Sequence, residues 1–99
     1  MSEELYSLKM TKYLSDRIKR NALKVYPICR DLKEVERFLI DRIKYMDTFN
    51  DLSISYTNIG KELDFPLWQY LDFAITDLER FKENIIGIIK EIFSEDIEH

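Results

Sequence analysis

Residues 66–93 read PLWQYLDFAITDLERFKENIIGIIKEIF, and the spacing of their apolar side chains decides the fold. Leu67, Leu71, Ala74, Leu78, Phe81, Ile85, Ile88 and Ile92 recur at alternating steps of four and three. That spacing keeps one face of an α-helix apolar and suits no strand, so it predicts a single helix over residues 66–93. Trp68, Ile75 and Ile89 widen the face to that of a helix packed in a globular bundle. Ile86 and Phe93 add apolar surface on a further side, so the last turns are expected to be covered from more than one direction. At ~1.5 Å per residue the helix would run roughly 42 Å. A compact chain of this length, with a radius of gyration near ~13 Å, is only roughly 30 to 35 Å across. One end should overhang, and Ile86, Ile89 and Phe93 there are the expected contacts of a two-fold homodimer.

Upstream, Met10, Leu14, Ile18, Ala22 and Val25 place one apolar stripe on a helix over residues 3–24. Pro27 disfavours helix at Tyr26 and stops it, with residues 23–29 as an alternative short extended piece. Asp31 followed by Glu34 is akin to a capping box. It opens a helix over residues 31–47 whose stripe is Leu32, Val35, Leu39, Ile43 and Met46, broadened by Phe38 and Ile40. Between residues 48 and 65 the pattern changes. Leu52, Ile54 and Tyr56 alternate with Ser53, Ser55 and Thr57, a period of two in residues suited to strands. A lone strand needs a partner: residues 23–29, or its own copy across a dimer. The preferred reading is an extended loop over 52–57. Gly60 and Asp64 punctuate the approach to the long helix, with Asp64 as its cap and Pro66 in its first turn. The expectation is a mainly α, three-helix domain spanning residues 1–99, with one long C-terminal helix and a frayed acidic tail at 94–99.

With 99 residues, 45% hydrophobic and 34% charged, the chain should fold as one domain around one core. Its longest apolar run, residues 85–89, is about a quarter of a membrane span. The opening Met-Ser-Glu-Glu-Leu has acids where a secretory leader has lysines, which predicts a cytoplasmic protein. Cys29 is the one cysteine, so an intrachain disulfide is excluded and a small buried thiol is expected. Glutamine and histidine each occur once, while Glu, Lys and Ile abound, a trend of thermostable proteins that an AT-rich genome also produces.

Catalytic constellations are missing. The one histidine is His99, which excludes Ser-His-Asp, Cys-His and histidine-based metal chemistry. Carboxylates at helical spacing, such as Glu79 with Glu83, lie opposite the apolar face and read as solvated. The Glu-x-x-His pairs of di-iron bundles do not occur. Gly60 and Gly87 stand too far apart for a phosphate loop, and Gly87 marks either close helix packing or simple tolerance. The chain is read as a non-enzyme without cofactor or metal.

Charge carries the functional content. Residues 1–50 hold 11 basic and 8 acidic side chains, residues 51–99 hold 4 and 11, and the whole chain is at −4. Within residues 9–30 seven Lys or Arg face Asp16 alone. Lys9, Lys12, Arg17, Lys19, Arg20 and Lys24 therefore form a basic arc with Tyr6 and Tyr13 on its margin, able to line phosphates or stack on bases. The alternative is a solvated face, or one paired with the acidic last helix of the same or a second chain.

Small size, acidity, enrichment in isoleucine and charge, and the lack of catalytic residues make the chain similar to small uncharacterised proteins of filamentous and rod-shaped viruses of hyperthermophilic archaea. That resemblance implies a heat-resistant protein acting in the cytoplasm of an infected host. Small four-helix immunity proteins and phage-borne inhibitors look similar as well. The leading expectation is a non-catalytic helical protein–protein interaction protein, presenting a helix face to an unidentified protein partner and self-associating. The alternatives are a nucleic-acid-binding accessory or regulatory protein working through the basic first helix, and an immunity or inhibitor protein.

Overall fold

Capping side chains set most of the helix boundaries. The computed structural model describes residues 12–94. Among these the order is α1 (Lys12–Val25), α2 (Leu32–Lys44), α3 (Phe49–Leu63), a 3-10 turn (Leu67–Tyr70) and α4 (Leu78–Phe93), with no strand. Asp31 Oδ1 accepts from the Glu34 N–H at the start of α2. The Glu34 carboxylate reaches back to the Arg30 N–H at 2.8 Å, one residue before the usual capping-box donor. Thr48 Oγ1 does the same work for α3, accepting from Asp51 N, and Asp77 for α4, accepting from Arg80 N. The expected start of the first helix near residue 3, together with Lys9 and Met10, lies outside the described residues, as does the tail beyond Ser94.

The described part is all-helical, but the three-helix arrangement is corrected in two places. Residues 52–57 are neither strand nor loop; they lie inside α3. Leu52, Tyr56, Ile59 and Leu63 recur at steps of four, three and four and are all buried, whereas Ile54 is 51% exposed. The alternation was therefore a coincidence of Ile54 with a helical stripe, and the cap at Thr48 outweighs the weak helix propensity of the β-branched residues.

The single helix over 66–93 is also broken. Pro66 precedes a 3-10 turn, and the chain then runs irregularly from Leu71 to Asp77. Polar side chains capture the backbone there. Asn84 Oδ1 accepts from Asp72 N, and Asp72 Oδ1 accepts from Ala74 N, offering the chain an alternative to helical bonds. Asp77 then restarts it. What remains is α4, 16 residues long and thus about 24 Å, inside the molecule's extents of 34 × 31 × 19 Å. The predicted overhang does not exist.

One apolar cluster joins the four helices. It takes Ile18 and Ala22 from α1, Val35, Leu39 and Ile43 from α2, the α3 stripe, and Phe81, Ile85, Ile89, Ile92 and Phe93 from α4. The broken segment still delivers Leu67 and Leu71 to that core. Tyr56 pins it, donating its hydroxyl hydrogen to Leu67 O at 2.7 Å. Helices α2 and α4 make the most extensive pairing, and α1 touches the other three. Ser15, buried on the inner side of α1, donates to Ile92 O. Residues 23–29 form no extended piece: Tyr26 N donates to Ala22 O and Cys29 N to Tyr26 O as α1 unwinds into a turn. Cys29 is half-buried rather than fully enclosed.

The two glycines differ in what they do. A Cβ on Gly60 would stand 2.9 Å from the backbone oxygen of Phe65, while one on Gly87 would meet nothing within 4 Å, so Gly87 is simply tolerated. Gly87→Ala should raise stability by about 0.5–1 kcal/mol, moving Tm up by a few degrees in a chain of this size. Gly60→Ala should lower it. Thermal unfolding of the two variants beside the parent checks the pair, and equal shifts of the same sign would contradict the packing described.

Candidate anion-binding cleft

The end of α3 and the outer side of α1 enclose a small basic cleft, and the closure of α3 creates it. Asp64 is the one non-glycine residue with positive φ among those described, at φ 58° and ψ 46°. Its N–H donates to Lys61 O at 3.2 Å, and Phe65 N donates to Gly60 O at 2.9 Å, the paired closure of a Schellman motif. Glycine usually occupies the left-handed position, and Asp is among the few residues that tolerate it. Sequence reading assigned Asp64 to the start of the following helix; it ends the preceding one.

That turn leaves Leu63 O facing α1, where Asn21 Nδ2 donates to it at 2.8 Å. The bond locks α1 against α3. Beside it lies a cavity of 190 Å³, open to solvent on one side and lined by Arg17, Ile18, Arg20, Asn21, Lys24, Leu63 and Asp64. Three cations thus share a rim with one carboxylate. Arg17 Nη2 and Asp64 Oδ2 are 4.0 Å apart, with half or more of each side chain exposed, a loose pair of little worth to stability.

Of the six basic residues picked out in the sequence, the structure brings Arg17, Arg20 and Lys24 together. Lys19 points elsewhere. Its ammonium donates to Ser94 O at 3.1 Å, a cation placed at the C-terminal end of α4 where the helix dipole favours it. Lys12 opens α1, and Lys9 lies outside the described residues. The expected dimer residues fare differently. Ile89 and Phe93 are 0% and 5% exposed in the chain's own core, and Ile86 is half-buried against it. The apolar patch on which the dimer expectation rested is filled from within.

A second polar constellation, which sequence reading missed, joins the turn that follows α1 to α2 and α3. Tyr26 donates its hydroxyl hydrogen to Glu62 Oε1 at 2.5 Å, and Arg42 Nη1 donates to the same oxygen at 2.8 Å. The Arg42 guanidinium stands 6.0 Å from the centroid of the Phe38 ring, which in turn meets Tyr26. Burial opposes the charged form of Glu62, but the bonds from Arg42 and Tyr26 and the Arg42 charge outweigh it and hold the carboxyl below its usual range. Burial first, then Glu62, pushes the Tyr26 hydroxyl up. These three residues are far apart in sequence, so no local spacing announces them. They form a structural lock rather than a reactive pair, since the arginine fixes the carboxylate in its ionised form.

Among the described residues no three of His, Cys, Asp and Glu gather as a metal site, and no helix is long and apolar enough to cross a membrane. No protein-family model matches the chain, and neither does any curated protein or solved structure.

The lock makes stability depend on pH in a definite direction. A carboxyl whose folded pKa lies below its unfolded value near ~4.3 adds stability above that value and loses it as pH falls through the folded one. Urea unfolding should therefore show an acid-side loss below about pH 4.3, and Glu62→Gln should be less stable at neutral pH with a shallower acid limb. Parallel acid limbs in parent and variant would contradict the network.

Proposed function

We propose that this protein is a small non-catalytic binding protein that presents the outer face of α1 to an anionic macromolecular partner. The observation that supports this reading is the gathering of Arg17, Arg20 and Lys24 around one open cleft, with Asp64 as the opposing charge on its rim. A chain at −4 overall has no general need for such a concentration of positive charge. Gathered on one face, it acts as a local field rather than a global one.

The choice of α1 over the end of α4 follows from burial. Interaction surfaces need exposed side chains, and in α4 Ile89 and Phe93 are buried in the core with Ile86 packed against it. Arg17, Arg20 and Lys24 are exposed, and α1 is anchored to the bundle by other residues: Ser15, Ile18, Asn21 and Ala22. A cytoplasmic place of action and the likeness to small viral proteins both accord with a binding protein of this kind.

Heparin tests the reading as a generic polyanion. The parent should be retained at low salt, and Arg17→Glu combined with Arg20→Glu and Lys24→Glu should elute with the flow-through while keeping its helical circular dichroism. Reversal of Lys33, Arg37 and Lys44, exposed on α2, makes the same change in net charge and should change retention far less. Equal losses for the two sets would show that net charge, not the cleft, governs the behaviour.

A further inference from the structure

We infer that the partner is single-stranded nucleic acid, lying along α1 with backbone phosphates on Arg17, Arg20 and Lys24 and a base stacked on Tyr13. The inference rests on the reading of that face as an anion-binding surface and names its occupant. Tyr13, Arg17, Arg20 and Lys24 follow steps of four, three and four within one helix, so they form a single stripe. The buried face of the same helix, Ser15, Ile18 and Ala22, points away from it.

Seven residues separate Arg17 from Lys24, about 10 Å of helix axis, so the three cations lie close enough together to follow one short run of a strand's backbone. Tyr13 sits one turn before Arg17 and is 71% exposed. A tyrosine that contributes so little to the core is available as a stacking platform, which every base can use through its π-face. The cleft of 190 Å³ is smaller than the ~300–1,000 Å³ of sites that enclose small molecules, and suits a phosphate seated beside Arg17 and Arg20 with the rest of the strand outside. Arginine's planar fork matches phosphate oxygens, and on arrival a phosphate replaces the loosely held Asp64 carboxylate. An acidic peptide would use the cations but leave the tyrosine ring idle. A duplex would need a helix free to enter a groove, whereas α1 packs against all three other helices.

The test is fluorescence anisotropy with a labelled oligothymidylate about twelve nucleotides long, within the usual site sizes, beside a duplex and a polyglutamate peptide of similar length. Three phosphate contacts predict that log K falls with log salt at a slope of about −2. Arg20→Gln should make the slope shallower by about 0.7. Tyr13→Ala should weaken binding about tenfold with the slope unchanged, and Tyr13→Phe should bind like the parent. Both positions are exposed, so circular dichroism should stay the same. Parent-like binding by Tyr13→Ala, or equal or tighter binding of the duplex or the polyglutamate, overturns the inference. A protein retained on heparin that ignores the oligonucleotide also overturns it and leaves the anion-binding reading standing, whereas failure on heparin as well overturns both.

Discussion

The left-handed turn at Asp64 stops α3 immediately after Leu63, and much of the molecule follows from that stop. Had α3 continued, Leu63 O would have bonded within its own helix. Instead it faces outward and accepts from Asn21, so the bond that sets α1 against α3 exists only because the helix ends. The same turn sends Phe65 and Pro66 back over Gly60, which lacks a Cβ where the Phe65 carbonyl passes. Leu67 is thereby delivered to Tyr56 and to the core. A bulkier residue at position 60 would push the crossing away and disturb the turn, the 3-10 segment and the cleft together.

The irregular stretch beyond the turn does with two pieces what one long helix could not. A straight rod from Pro66 would have carried Leu67 and the α4 core residues along one line. With residues 71–77 unwound, Leu67 and Leu71 cover the end of α3 while Phe81 through Phe93 run back along α2. The cost of leaving helical geometry is offset by side-chain partners for the freed backbone, supplied by Asn84, Asp72 and Asp77, consistent with the rule that polar backbone seldom goes unpaired.

Much of the architecture was legible in residue spacing. Ile18 and Ala22 in α1, Val35, Leu39 and Ile43 in α2, and Phe81, Ile85 and Ile92 in α4 read correctly as buried, because apolar periodicity reports burial directly, whereas Phe38, expected to broaden the α2 stripe, is 38% exposed. Two features were not legible. The alternation at 52–57 satisfied the strand pattern and the helical pattern at once, and only the exposure of Ile54 separates them. The break before Leu78 depends on Asp72 and Asp77 competing for backbone, a local effect that a count of apolar steps passes over. Of the candidate cleft, the basic residues were visible as charge in a row, but the separation of Lys19 from Arg17, Arg20 and Lys24 was not. It depends on where the carbonyl end of α4 arrives, 75 residues away in sequence. The Tyr26, Arg42 and Glu62 lock is likewise a product of tertiary structure.

Attachment and presentation in α1 are carried by separate residues. Ser15, Lys19 and Asn21 hold carbonyl oxygens at the ends of two neighbouring helices, and Ile18 and Ala22 fill the core. The outward stripe takes part in little of this. Mutations at positions 13, 17, 20 and 24 can accordingly accumulate with small effect on folding, so the chemistry of the outward stripe can change while the scaffold stays as it is. Anchoring thus falls to three polar side chains bonded to backbone carbonyls of their own chain, and the outward surface of the same helix is left to vary independently.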